Sequence, residues 1–145
     1  MKANADFPNI NSKQPEGLNS MGQPYKVLII DDSMFVQKQI GQILTSEGFE
    51  IVGTANDGME GLEKYKALHP NVDLVTMDIT MPRLDGVSAL SKIMDFDKEA
   101  KVIMISALGK EDLVKDALIK GAKNYIVKPL NRTKVLERIK AVLDK

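Results

Sequence analysis

From Tyr25 to the end of the chain, apolar runs of strand length alternate with stretches whose apolar residues recur every three or four positions. Continuous apolar runs are typical of strands buried on both faces, whereas the three-to-four spacing is typical of helices with one buried face. The alternation occurs five times, and the predicted strands cover residues 27–30, 50–55, 72–77, 102–105 and 125–127.

Residues typical of helix ends separate these segments. Asp57 and Glu60 have the spacing of a capping box, His69-Pro70 stops the helix that follows, and Gly48 and Gly121 are suited to left-handed helix ends. The third and fourth helices are predicted over residues 87–94 and 113–119. The apolar faces of the other helices are predicted to comprise Val36, Ile40, Ile43 and Leu44 in the first; Leu62, Tyr65 and Leu68 in the second; and Val135, Leu136, Ile139, Val142 and Leu143 in the last.

Five successive strand–helix units predict an α/β fold, because strands that are apolar on both faces need helices on each side of a parallel sheet. The first, third and fourth strands are the most apolar and are therefore expected at the centre. With right-handed crossovers this favours a flavodoxin-like (βα)5 doubly wound sandwich with strand order 2-1-3-4-5, an order taken from known folds of this class.

Residues 1–24 are polar and contain few apolar side chains to offset the entropy of ordering. We therefore predict a flexible N-terminal tail over residues 1–24 and one domain over residues 25–145. The tail is interpreted as a dispensable extension or, if translation begins at Met21, as upstream sequence. A docking motif at Phe7-Pro8-Asn9-Ile10 is the alternative.

Composition excludes several classes of function. The 20 basic residues balance the 20 acidic ones, so the chain lacks the excess of positive charge that nucleic-acid binding needs. There is no cysteine, which excludes disulfides and thiolate chemistry and favours a reducing compartment. No secretory signal and no apolar stretch long enough for a membrane span is present, so we expect a soluble, cytoplasmic protein without membrane contacts.

Polar residues follow four of the five predicted strands. Asp31-Asp32 follow the first, Asp78 the third, Ser106 the fourth and Lys128-Pro129 the fifth. The carboxyl ends of parallel strands share one edge of the sheet, where such folds bind ligands. Three carboxylates meeting there would repel one another unless a cation lay among them, and oxygen ligands without His or Cys point to Mg²⁺.

An aspartate oxygen beside Mg²⁺ is a plausible nucleophile toward phosphorus. Asp78 is the candidate, with Lys128 and Ser106 placed to bind the phosphoryl oxygens. Taken singly, each of these residues also has an ordinary structural interpretation, as a helix cap, a turn residue or a strand end. Their joint placement at one edge is what favours chemistry.

These residues resemble the response-regulator receiver family, and within it the chemotaxis regulators of the CheY type. The resemblance covers about Tyr25 to Lys145. The matching text is Val27-Leu28-Ile29-Ile30-Asp31-Asp32-Ser33, Met77-Asp78-Ile79-Thr80-Met81-Pro82 with Asp85-Gly86, Ile105-Ser106-Ala107, Gly121-Ala122-Lys123 and Val127-Lys128-Pro129.

The resemblance implies a role for each matching position. Asp78 would be the phosphoacceptor, Asp31 and Asp32 would be Mg²⁺-site carboxylates, and the main-chain carbonyl of Thr80 would be a further ligand. Four further assignments are implied: a switch pair of Ser106 and Tyr125, a phosphate anchor at Lys128, a cis peptide before Pro129, and tuning of the phosphoryl lifetime by Thr80 and Leu108. From the residues alone, Tyr125 has the more ordinary interpretation of a packing residue.

The same resemblance implies a single-domain regulator of a two-component phosphorelay. Its phosphodonor would be a CheA-like histidine kinase, its output binding to a flagellar motor switch protein, and a dedicated phosphatase is a possible third partner. The chain is expected to be monomeric. It would not be an enzyme with a separate substrate, since it would catalyse only its own phosphotransfer and autodephosphorylation.

Other functions stay open at this point. The chain could serve a phosphorelay outside chemotaxis, or signal without phosphorylation. An Mg²⁺-dependent aspartyl-phosphate phosphohydrolase of the haloacid dehalogenase type would need a second Asp two residues after the first, where this chain has Thr80. A flavodoxin-like electron carrier would need a Gly/Ser/Thr-rich phosphate loop, where this chain has Asp31-Asp32-Ser33-Met34.

Overall fold

The computed structural model describes residues 15–143. Strands and helices alternate along this part of the chain and confirm the predicted series of strand–helix units. The elements are β1 (Lys26–Ile30), α1 (Met34–Thr45), β2 (Glu50–Ala55), α2 (Gly58–Leu68), β3 (Leu74–Asp78), α3 (Gly86–Phe96), β4 (Val102–Ser106), α4 (Glu111–Ile119), β5 (Asn124–Val127) and α5 (Arg132–Leu143).

The five strands form one parallel sheet in the order β2-β1-β3-β4-β5, which confirms the predicted topology. The chain reverses its winding direction between β1 and β3. In that pair Ile30 is level with Met77, so the residues just beyond both strands lie at the same edge of the sheet. This is where a doubly wound sheet opens a crevice for ligands.

Alternate residues of the central strands pack into separate cores on the two faces of the sheet. In β1, Leu28 and Ile30 belong to one core, whereas Val27 and Ile29 belong to the other. Each fully buried Leu or Ile side chain stabilises the fold by roughly 2 kcal/mol relative to an exposed one. The uninterrupted apolar runs of the sequence thus correspond to burial on both faces, as predicted.

Side-chain oxygens cap the first three helices. Ser33 Oγ accepts the N–H of Val36 at 3.2 Å, and Asp57 Oδ1 accepts that of Glu60 at 2.8 Å. Asp85 Oδ1 accepts from Ser88 N at 2.9 Å. The expected capping box is shifted by one residue, because Glu60 Oε1 accepts from the N–H of Asn56 at 2.8 Å and not from that of Asp57.

Strand β3 begins at Leu74 and not at the predicted Val72. Asp73 lies just before the strand, and its N–H donates to the carbonyl of Lys26 at 2.8 Å. The N–H of Lys26 donates at 2.8 Å to the side-chain Oδ2 of Asp73, and so is not paired with a main-chain carbonyl that would continue the ladder. The strand extends instead to include Asp78, so the candidate nucleophile is the last residue of the central strand.

The chain contacts the domain before residue 25. The N–H of Gly17 donates to the carbonyl of Glu47 at 2.8 Å, its own carbonyl accepts from Tyr25 N at 2.7 Å, and the N–H of Glu16 donates to Glu47 Oε1 at 3.1 Å. Residues 16 and 17 therefore contact the domain, because the turn after α1 offers them hydrogen-bond acceptors. The predicted division into a tail over residues 1–24 and a domain over residues 25–145 stays a prediction. Residues 1–14, with the candidate motif Phe7-Pro8-Asn9-Ile10, lie outside the described residues.

Between residues 15 and 143, no helix has the length and apolar character required to cross a membrane.

Candidate functional site

The structure brings the predicted carboxylates together at the carboxyl edge of the sheet. Asp31 and Asp32 follow β1 directly and Asp78 ends β3, its paired neighbour. One carboxylate oxygen from each of the three lies within 4.8 Å of the others. Within residues 15–143, this is the group of acidic side chains that is arranged to hold a metal ion.

The two inner carboxylates are almost fully buried, with 1% of Asp31 and 6% of Asp78 exposed, whereas Asp32 is exposed. Burial, together with the nearby charge of Asp31, raises the pKa of Asp78 to about 6, while the charge of Lys128 opposes the shift. Burial likewise raises the pKa of Asp31 above its ordinary value. Since desolvation and mutual repulsion both disfavour the ionised forms, the site favours a compensating cation.

Lys128 supplies part of that compensation. Its Nζ lies 3.6 Å from Asp78 Oδ1 and 3.9 Å from Asp31 Oδ2. Both distances exceed those of direct hydrogen bonds, so the ammonium acts as a shared charge between two carboxylates. Its position is set by the main chain, because the N–H of Lys128 donates to the carbonyl of Ser106 at 2.7 Å.

Asp31 carries the feature that tests whether these residues fit Mg²⁺. Its Oδ1 accepts the N–H of Ser33 at 2.8 Å, but its Oδ2 is buried without a hydrogen-bond partner. A buried carboxylate oxygen without a partner is costly, and a hard cation satisfies it. The donor set of carboxylate oxygens, with no nitrogen or sulfur ligand among the clustered residues, fits Mg²⁺.

The loop between β3 and α3 is held close to Asp78. The N–H of Gly86 donates to the carbonyl of Ile79 at 2.7 Å, and a Cβ added at Gly86 would lie 2.1 Å from the carbonyl oxygen of Asp78. Only glycine allows this approach. Thr80, whose main-chain carbonyl is the expected further metal ligand, is exposed in this loop two residues after Asp78.

Ser106 and Tyr125 lie on neighbouring strands and line one cavity of about 250 Å³ together with Val114 and Leu118. The buried Ser106 Oγ donates to the carbonyl of Ala107 at 2.9 Å. Tyr125 is partly buried, and the guanidinium of Arg138 lies 4.9 Å from the centre of its ring. The predicted switch pair therefore borders a common space, while its role stays a prediction.

The structure also shows the peptide bond before Pro129 and the position of Leu108. The Lys128–Pro129 peptide bond is cis, as the resemblance implied. Leu108, in the loop after β4, is 75% exposed at the surface. The proposed influence of Leu108 and Thr80 on the phosphoryl lifetime is not tested by this geometry.

The sequence did not single out Gln37, which contacts the main chain of the site. Its Nε2 donates to the carbonyl of Asp31 at 2.6 Å, to Asn56 Oδ1 at 2.9 Å and to the carbonyl of Ala55 at 3.2 Å. The available signal was its position in the first turns of a helix that begins beside two aspartates, because helical side chains point back toward the helix N-terminus.

Known proteins are similar to this chain over most of its length. The model of the response regulator receiver domain matches residues 27–140. The chain is 67% identical over 143 residues to the chemotaxis protein CheY of Treponema pallidum, covering 99% of each chain. It is 47% identical over 120 residues to the chemotaxis protein CheY of Bacillus subtilis, covering 83% of this chain and 98% of that protein.

Among solved structures, the chain is similar to one from the crystal structure of a CheX-CheY-BeF3-Mg complex from Borrelia burgdorferi. The TM-score is 0.88 and the identity 61%, with 92% of this chain and 100% of that chain covered. Identity at this level to chemotaxis proteins favours chemotaxis over other phosphorelays. The chain therefore belongs to the response regulator receiver domain family, and within it to the CheY-like chemotaxis response regulators.

Proposed function

We propose that the chain is a single-domain switch that accepts a phosphoryl group on Asp78 in an Mg²⁺-dependent reaction with a histidine kinase. The observation that carries the proposal is the meeting of Asp31, Asp32 and Asp78 with carboxylate oxygens within 4.8 Å of one another at the end of the central strand. Asp31, Asp32, Asp78 and the carbonyl of Thr80 would hold the metal ion.

In the proposed transfer, an oxygen of Asp78 attacks the phosphorus of a phosphohistidine. The P–N bond breaks as the P–O bond forms, and the released imidazole takes up a proton. Bound Mg²⁺ supplies positive charge that reduces repulsion between the carboxylates and the incoming phosphoryl oxygens. The nucleophile must be ionised. Without a metal ion the pKa of Asp78 is raised to about 6, and a bound cation would favour the ionised form further.

Lys128 and Ser106 then respond to the new phosphoryl oxygens. Lys128 Nζ, already 3.6 Å from Asp78 Oδ1, needs little movement to pair with them. Ser106 Oγ would exchange its bond to the carbonyl of Ala107 for one to the phosphoryl group. The cavity of about 250 Å³ beside Ser106 gives the ring of Tyr125 space to rotate inward. Phosphate thereby biases two pre-existing arrangements of this face.

The altered face is formed by α4, β5 and α5. Two exposed apolar residues of α4, Leu118 and Ile119, make it suited to protein binding, and Leu118 borders the same cavity as Tyr125. We propose a flagellar motor switch protein as the output partner, a CheA-like kinase as the phosphodonor and a CheX-like protein in the role of the dedicated phosphatase. The last assignment is supported by the solved CheX-CheY complex of the Borrelia relative. The proposed setting is the cytoplasm, with the chain as a monomer.

We propose no reaction on a separate substrate beyond phosphotransfer to Asp78 and its autodephosphorylation. The alternative, an Mg²⁺-dependent phosphohydrolase, expects a general acid two residues after the nucleophile. Thr80 holds that position and cannot serve as a carboxylic acid.

The test is labelling of the full chain by a radioactive small-molecule phosphodonor in the presence and absence of Mg²⁺. We expect acid-stable, base-labile label that requires Mg²⁺ and is lost in Asp78→Asn. Asp95→Asn is the matched control, since Asp95 is exposed on α3 and outside the acidic cluster. Undiminished labelling of Asp78→Asn would refute the assignment of the phosphoacceptor.

A further inference from the structure

We propose that Gln37 is a positioning residue that fixes the main chain of Asp31 and thereby sets the affinity of the acidic site for Mg²⁺. The proposal rests on the function proposed above, because it assigns a task at the same site to a residue that is not itself a metal ligand.

Asp31 is held by three hydrogen bonds that leave one atom available. Its N–H donates to the carbonyl of Ala55 at 3.0 Å, its carbonyl accepts from Gln37 Nε2 at 2.6 Å, and its Oδ1 accepts from Ser33 N at 2.8 Å. The remaining oxygen, Oδ2, is buried without a hydrogen-bond partner and faces Lys128 Nζ at 3.9 Å. The position of the main chain therefore determines where this oxygen points.

The orientation of the Gln37 amide follows from its surroundings. All three atoms it contacts are carbonyl oxygens, of Asp31, Ala55 and the Asn56 side chain. Only the NH₂ group satisfies acceptors, so it is this group and not the amide oxygen that faces the site. Two hydrogens serve three acceptors, which makes one of these bonds shared.

Gln37 also links the site to a part of the fold that supplies no ligand. Asn56, which follows β2, accepts from Gln37 through its side chain and donates its own N–H to Glu60 Oε1 at 2.8 Å. Glu60 in turn lies 3.3 Å from Lys64 Nζ on α2. The carbonyl of Asp31 is thus tied through one side chain to the end of β2 and the start of α2.

Loss of the Gln37 N–H groups would leave the carbonyl of Asp31 without its side-chain donor. Asp31 would keep its bonds to Ser33 and Ala55, so its Oδ2 would remain near the site but would be free to tilt. Hydrogen bonds that orient metal ligands in this way typically change metal affinity by about 10–100-fold. Since two of three constraints persist, we expect the lower end of that range.

The experiment is calorimetric titration of the full chain with MgCl₂. Gln37→Met retains the approximate size of the side chain but has no N–H donor, and its dissociation constant should rise about 10-fold. Gln37→Asn keeps an NH₂ donor on a shorter side chain without adding charge and should weaken binding less than Gln37→Met.

Two controls separate positioning from general loss of stability. Gln42→Met makes the same substitution at an exposed position of α1 and should leave the dissociation constant unchanged. Ile40→Val removes a buried methylene from the same helix, so it lowers the melting temperature without touching the site. Its Mg²⁺ affinity should match that of the wild type.

The rise in melting temperature at saturating Mg²⁺ provides a second readout for a variant of low stability, because a ligand stabilises the folded state according to its affinity. This rise should be smaller in Gln37→Met than in Ile40→Val. If wild type and Gln37→Met bind Mg²⁺ equally, the role of Gln37 is overturned while the proposed function stands. If the wild type itself takes up no Mg²⁺, both proposals fall.

Discussion

The guanidinium of Arg83 lies against the carboxylate that caps α2, with Arg83 Nε 3.0 Å from Asp57 Oδ2 and Nη2 3.4 Å from Oδ1. Arg83 belongs to the loop that follows Asp78 and has a φ of 66°, the left-handed region. The N–H of Gly58 donates to the carbonyl of Leu84 at 3.1 Å beside this pair. The start of α2 and the loop after β3 are therefore joined by a charge pair and a main-chain bond.

This geometry separates two contributions at position 83. Arg83→Ala loses the ion pair but keeps the unfavourable left-handed backbone, which costs a non-glycine residue about 1–2 kcal/mol. Arg83→Gly loses the ion pair but relieves the backbone. Because the Arg83 side chain is 62% exposed, its ion pair contributes less than about 1 kcal/mol. Urea unfolding should therefore rank Arg83→Gly above Arg83→Ala in stability, and the reverse order would contradict the left-handed backbone.

The raised pKa of Asp78 predicts how pH acts on the chain without Mg²⁺. The pKa rises from 3.8 to about 6 on folding, so the folded state binds this proton more tightly than the unfolded state. The corresponding stabilisation is complete below the pKa of the unfolded state, 3.8, and is lost as the pH rises through the folded-state pKa of about 6. Asp78→Asn is neutral at every pH and should be the more stable protein at pH 7.5, by roughly 1–2 kcal/mol.

The measurement is chemical unfolding of wild type and Asp78→Asn in EDTA between pH 4 and 8. The difference between their free energies of unfolding is followed, because the contributions of other titrating groups cancel in it. Asp95→Asn should show no such pH-dependent difference from the wild type. A difference that shrank as pH rose would have the wrong sign and would count against a buried, repelled carboxylate at position 78.

Lys128→Ala should leave the fold intact, because the Lys128 side chain is 29% exposed and contributes a shared charge and no direct hydrogen bond. Its loss should weaken binding of Mg²⁺ with beryllofluoride by about 10-fold or more, since a hydrogen bond to a charged group is worth about 1.5–3 kcal/mol. Calorimetry with the exposed Lys123→Ala as control checks this. Equal binding by both variants would remove Lys128 from the role of phosphate anchor.

Truncation tests the start of the domain. A chain without residues 1–14 keeps the hydrogen bonds of Glu16 and Gly17 and serves as the reference. Removing residues 1–24 deletes the bonds of Glu16 and Gly17 to Glu47 and that of Gly17 to Tyr25. Their loss should cost about 1–2 kcal/mol in total. If the two truncated chains have the same melting temperature, the result supports the predicted domain start at residue 25.

The sequence was sufficient for the layered fold because β1, β3 and β4 have uninterrupted apolar runs that only a doubly covered sheet can bury. It was sufficient for the acidic cluster because strand ends in a parallel sheet share an edge. The strand order, however, was adopted from known folds of this class. The contacts of Glu16 and Gly17 with the turn after α1 could not be predicted, because they use main-chain groups, which leave no apolar pattern in the sequence.

The contacts of Gln37 and the Asp57–Arg83 ion pair could not be predicted from the sequence for a related reason. Each depends on a contact between segments far apart in the chain, 18 residues for Gln37 and Ala55 and 26 for Asp57 and Arg83. A polar residue on a helix surface is ordinary until its acceptor is known. The left-handed backbone at Arg83 was not predicted either, because glycine is the residue that usually indicates this conformation and position 83 is an arginine.

The glycines of this chain differ in the freedom they leave to mutation. At Gly41, in α1, an added Cβ meets no atom within 4 Å, so alanine should fit and should strengthen the helix by about 0.5–1 kcal/mol. At Gly86 the same methyl group would displace the main chain of Asp78, the proposed phosphoacceptor. In a saturation library at position 86, we therefore expect that only glycine keeps Mg²⁺-dependent labelling. In a library at position 41, many different residues should keep it.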